Sequence, residues 1–207
     1  MIARLFRIQS SEKGVSNRMR VSLEKQIQVL QECGIELLPE ITIEHLLASY
    51  NRDDYENEPY LHLLIAMGGE QEEEPYGALS ANIWHLDTEC IEDHGAYAAI
   101  AHRMRGLAGD ALKLEEINDY VDVVEEGEAW LSFKLNGKQI RWEPNVQDDW
   151  VDAKIFNQFA NLLAQQPTDK RFTYLDLGGQ DCLIGCATPA QMEKLKRETG
   201  LDFQWLS

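Results

Sequence analysis

Trp130-Leu131-Ser132-Phe133-Lys134-Leu135-Asn136-Gly137-Lys138-Gln139-Ile140-Arg141-Trp142 is the stretch that decides the fold class. Apolar and polar residues alternate on both sides of Asn136-Gly137, the pair favoured in two-residue type I′ hairpin turns. A two-residue turn sets the register: Leu135 opposes Lys138, Phe133 opposes Ile140 and Leu131 opposes Trp142. Leu131, Phe133, Ile140 and Trp142 therefore share one face, Lys134, Arg141 and Glu143 point elsewhere, and Trp130 falls on the face opposite Trp142. A strand around Ile117–Val124 is expected to precede the hairpin.

Downstream, a helix is expected from Asp149 or Asp152 to about Gln166, with Ile155, Phe156, Phe159, Leu162 and Leu163 on one stripe. A second hairpin is read in Phe172–Leu177 and Gln180–Ala187, turning at Gly178-Gly179. That turn would place Cys182 opposite Leu175 and Ile184 opposite Thr173. Thr188-Pro189-Ala190-Gln191 announces the last helix, with a capping threonine, proline in the first turn and glutamine three residues after the cap. Gly200 ends it, and Leu201–Leu206 adds a final strand.

Upstream, residues 2–8 alternate weakly as a strand. A helix capped by Ser16 or Asn17 runs to about Cys33, and a short one follows Thr42 with Ile43, Leu46, Leu47 and Tyr50 in helical spacing. Asn51–Pro59 reads as a polar turn. Tyr60–Met67 is a compact apolar run, read as a buried strand returning through Leu79–Leu86. Residues 93–108 make a helix. Hairpins alternating with helices predict an α+β fold, an antiparallel or mixed sheet with helices packed against it. The expected organisation is one domain over residues 1–207; a small lobe of residues 1–75 with a main lobe of 76–207 is the alternative.

The chain has 207 residues, 44% of them hydrophobic, enough for a core without disulfide staples. The net charge is −17, from 19 Lys and Arg against 36 Asp and Glu. Phosphate backbones and anionic membranes both require cationic surfaces, so neither nucleic acid nor membrane is an expected partner. No apolar run approaches the roughly 20 residues needed to span a bilayer. Arginines interrupt the apolar residues of the first seven positions, which removes a signal-peptide core and makes the cytoplasm the expected location. Residues 1–31 carry a net positive charge, whereas residues 53–93 hold Asp and Glu and no Lys or Arg.

That asymmetry suggests a surface that steers a basic protein partner. The candidate steering residues are Asp53, Asp54, Glu56, Glu58, Glu70, Glu72, Glu73 and Glu74, with Tyr55, Tyr60 and Tyr76 as aromatic anchors. The resulting functional expectation is a non-enzymatic protein-binding module, such as a bacterial immunity or inhibitor protein acting on a basic toxin or nuclease. Solvated acidic faces that merely maintain solubility are the competing explanation.

A metal-assisted hydrolase is the enzymatic alternative. His85, Cys90 and His94 carry zinc-type donors among several acids, but they are three ligands where a structural zinc site takes four. No cofactor is expected. Cys182 and Cys186 lie about 13 Å apart on one strand face, too far for a disulfide. Asp148-Asp149-Trp150-Val151-Asp152 matches the DDxxD string of prenyl-diphosphate enzymes, yet it stands between a hairpin and a helix, where aspartates serve as caps. A structural subunit that self-associates through the Trp130 face or the last strand is a third reading.

Overall fold

The computed structural model describes residues 20–71, 77–122 and 127–207. The strand expected at residues 2–8, the caps Ser16 and Asn17, and Glu72, Glu73, Glu74 and Tyr76 lie outside them. In chain order the described elements are helices α1 (Leu23–Glu32), α2 (Ile43–Ser49), α3 (Arg52–Asn57) and α4 (Leu61–Gly68), then strands β1 (Glu70–Gln71), β2 (Gly77–Ala78) and β3 (Ile83–Asp87). They continue with α5 (Ala96–Ala108), β4 (Leu114–Asp122), β5 (Glu128–Leu135), β6 (Lys138–Trp142), α6 (Lys154–Ala164), β7 (Arg171–Asp176), β8 (Asp181–Ala187), α7 (Pro189–Thr199) and β9 (Gln204–Trp205). The fold is α+β, with antiparallel sheets of four and three strands and helices packed against them.

Two compact units form. The first joins the described residues up to Leu86 with Thr173–Gln204, and the second joins Asp87–Phe172 with Trp205–Ser207. The four-stranded sheet runs β3-β8-β7-β9. Helix α4 packs on α1, α2, α3 and β8.

That central helix is where the expectation of a strand at Tyr60–Met67 fails. Leu, Ala and Met favour helix, and Ile65 is the one β-branched residue in the run. A segment apolar on every side has no period to betray its structure, so length and neighbours decide. Leu63, Leu64, Ala66 and Met67 are all buried. The polar stretch expected as a turn also holds a helix: Asn51 caps α3 by accepting the Asp54 N–H at 3.1 Å. Helix α1 starts at Leu23, later than Ser16 or Asn17, because Ser22 is its cap.

Gly68 ends α4 against β3. A Cβ there would lie 2.6 Å from the His85 nitrogen and 2.9 Å from the Trp84 carbonyl carbon, both backbone atoms. Neither can swing aside as a side chain does. Gly68→Ala is expected to destabilise the first unit by about 1–3 kcal/mol through overpacking. Urea unfolding measures it, and a loss below about 0.5 kcal/mol would show that α4 and β3 separate freely.

The second hairpin closes one residue later than expected. The Leu177 N–H donates to the Asp181 carbonyl at 3.3 Å, so the loop holds Gly178, Gly179 and Gln180. A Cβ on Gly185 would meet Thr173 Oγ1 at 2.9 Å. Both observations replace the pairing expected from a Gly-Gly turn. A one-residue slip changes which side chains face the core.

In the second unit β4, β5 and β6 form a three-stranded meander. The first hairpin has the expected register, with Leu131 opposite Trp142, Phe133 opposite Ile140 and Leu135 opposite Lys138. Asn136 and Gly137 both have positive φ, 52° and 75°, as a type I′ turn requires. Phe159 of α6 packs beneath this sheet, 6.0 Å from the Phe133 ring and 4.8 Å from Trp142.

Candidate functional site

Helix α3 carries the first candidate acids, and its own neighbours claim several of them. Arg20 Nε lies 2.8 Å from Glu56 Oε2, its Nη2 pairs with Asp53, and Arg52 reaches both Glu24 and Glu56. The Arg20 hydrogen bond holds the Glu56 carboxyl below the usual carboxylate range. Glu56 is itself buried. Asp53 and Glu56 are thus internally neutralised, which corrects their assignment to an open steering field. Asp54 is half-buried, while Glu58 and Glu70 are exposed.

The anchors proposed beside them are core residues. Tyr55 is completely buried, and its hydroxyl donates to the Leu46 carbonyl. Tyr60 is also buried, at the start of α4. A ring already packed inside its own unit has no surface left for a partner.

His85, Cys90 and His94 do not assemble into a metal site. Among the described residues no three His, Cys, Asp or Glu side chains gather closely enough to hold an ion. His85 Nε2 stands 3.8 Å from Asp181 Oδ1 in the first unit. Cys90 and His94 belong to the second unit. Burial, followed by the charge of Asp87, pushes the Cys90 thiol up to about 11, so it is not a ready thiolate.

His94 has a different task. Its Nδ1 accepts the Val121 N–H at 3.1 Å. Beside it Asp119, reaching across from β4, accepts the N–H groups of Gly95 and Ala98 and so satisfies the first turn of α5. This carboxylate and this imidazole tie the start of α5 to strand β4.

Two acidic segments that are distant in sequence meet in the second unit. Glu89 bridges Trp150 in antiparallel fashion, the Ile91 N–H donates to the Asp149 carbonyl at 2.9 Å, and the Val151 N–H donates to Thr88 at 2.9 Å. Backbone pairing therefore sets Asp87, Glu89, Glu92 and Asp93 alongside Asp148 and Asp149, all six exposed. Asp152 is structural, as its position at a helix start suggests. It accepts from the Asn145 backbone and side chain at 2.9 and 3.1 Å, and from the Lys154 N–H at 3.1 Å.

Next to this acidic surface runs an aromatic ladder across the sheet face opposite Phe159. The His94 ring lies 4.7 Å from Tyr120, Tyr120 stacks at 6.3 Å and 12° on its strand partner Trp130, and the Arg141 guanidinium sits 4.4 Å over the Trp130 ring. Trp130 was legible as the hairpin residue facing away from Trp142. Tyr120 was not, because its place depends on a bulge in β4 between Glu115 and Asn118, where Glu116 takes φ 49°. Trp205 of β9 is 39% exposed, the most open large apolar side chain among the described residues.

No protein-family model, curated protein or solved structure matches this chain. Among the described residues no helix is long and apolar enough to cross a membrane.

Proposed function

We propose that this chain is a protein-binding module that covers a basic surface on another protein, in the manner of an immunity or inhibitor protein that masks a cationic toxin or nuclease. One observation carries the reading: the backbone bridge between residues 88–91 and 149–151 sets two acidic segments side by side. Carboxylates gathered this way repel one another in the isolated chain and gain when a cationic surface arrives. Their contribution lies mainly in the association rate and its salt dependence.

The test is a quadruple charge reversal, Glu92→Lys, Asp93→Lys, Asp148→Lys and Asp149→Lys, measured against a panel of basic nuclease toxins at low and high salt. The expected result is that association with the cognate toxin slows at least about tenfold in the variant, and that salt slows the parent chain similarly. Association insensitive to both changes would remove this surface from the function.

A further inference from the structure

We propose that the outer face of the three-stranded sheet, centred on Tyr120 and Trp130, seats an arginine-bearing segment of the protein partner. This rests on the protein-binding reading above and names the chemistry that the partner must present.

Among the described residues the face is part-exposed. From Asn118 and Tyr120 on β4, through Trp130 and Ser132 on β5, to Gln139 and Arg141 on β6, no side chain is fully buried, whereas Leu131 and Phe133 on the inner face are. The ladder of His94, tilted on Tyr120, and Tyr120, stacked on Trp130, offers π surface. The Arg141 guanidinium carbon sits over Trp130, 4.4 Å from the ring centroid, so this ring already receives a cation. Exposed Glu128 and Glu143 stand two residues from Trp130 and Arg141, within the reach of a second guanidinium that needs a bidentate carboxylate. Glu143 Oε1 is 3.5 Å from Arg141 Nε, the pairing that an incoming arginine would replace. Asp93, 3.4 Å from His94 Nδ1, joins the ladder to the acidic surface.

Arginine is favoured over lysine because a delocalised plane stacks on a ring and forks onto a carboxylate, whereas an ammonium does neither as well. Single-stranded nucleic acid also stacks on aromatic platforms. The bordering carboxylates and the net charge of −17 oppose its phosphates.

The experiment titrates the full chain with a tetra-arginine amide, a tetra-lysine amide and a short oligothymidylate, following the indole N–H signals by NMR, with Trp130→Phe identifying the Trp130 resonance. The arginine peptide is expected to move that resonance and to bind about two- to fivefold tighter than the lysine peptide. Trp130→Ala should abolish the preference. Arg141→Ala should tighten arginine-peptide binding about two- to fivefold by removing an internal competitor. The exposed Arg141 variant carries the test if Trp130→Ala does not fold.

Equal binding of both peptides, unchanged by Trp130→Ala, overturns the seat while leaving the acidic module intact. Weaker binding in Arg141→Ala overturns the displacement. Oligothymidylate binding at Trp130 overturns the protein partner, and no binding of either peptide overturns the seat and the module together.

Discussion

Gln26→Leu is expected to destabilise the first unit by about 3–5 kcal/mol, although it replaces a polar side chain with an apolar one of similar size in a fully buried position. Gln26 is 0% exposed on the inner side of α1. Its Nε2 donates to the carbonyls of Val21 and Tyr55, both at 2.8 Å, and its Oε1 accepts the Tyr60 N–H at 2.7 Å. Leucine would leave those three backbone groups without the amide, at about 1–3 kcal/mol for each one that water cannot reach. Added apolar burial returns part of that cost.

The Tyr60 bond matters most. Tyr60 has φ 72° and ψ −37°, a conformation that costs a residue with a side chain about 1–3 kcal/mol and persists where its surroundings impose it. Gln26 is the clamp that imposes it, turning the chain from α3 into α4. Urea unfolding should show a lower midpoint with an unchanged slope. A loss below about 1 kcal/mol would mean that the three groups find other partners.

Phe159→Ala is expected to cost the second unit about 3–5 kcal/mol. Phe159 is fully buried and stands between Phe133 and Trp142, with edge-to-face geometry to the tryptophan at 4.8 Å and 76°. Truncation leaves a cavity under both strands of the hairpin and removes aromatic pairing as well as area. Phe159→Leu, which fills much of the volume, should cost about 1–2 kcal/mol. Because Trp130 and Arg141 lie on the other side of the same strands, loosening this packing should also weaken the arginine-peptide binding proposed for that face. Thermal and chemical unfolding, read through the near-ultraviolet circular dichroism of the tryptophans, checks the order: alanine well below leucine, leucine below the parent. Equal stability of the three proteins would remove Phe159 from the core that supports the sheet.

The candidate site was legible only in outline. The acidic bias of residues 53–93 was visible, but Arg20 and Arg52 withdraw Asp53 and Glu56 from it, and no sequence distance announces that Asp148 and Asp149 lie beside residues 87–93. Tyr55 and Tyr60 looked like anchors because aromatic residues stood among acids. Helix α3 instead turns Tyr55 inward, so that its hydroxyl reaches Leu46. Gln26 could have been found: it stands three residues after Leu23 and four before Leu30, a polar residue within the apolar stripe of α1, which is where a buried hydrogen-bonding role should be suspected.

Interactions within a few residues were enough to settle the Asn136-Gly137 turn with its register, and the last helix, where Thr188 and Gln191 exchange bonds at 2.9 and 3.3 Å before Gly200 closes it in a left-handed conformation. Turns and caps are local chemistry, complete before the rest of the chain is placed. Whether Leu61–Gly68 became helix or strand, which residue closed the Gly178-Gly179 hairpin, and which acids met across the surface depended on partners many residues away. Burial and pairing energies of that kind exist only after the chain has folded back on itself, and they override the weak local preferences of uniformly apolar or uniformly acidic stretches.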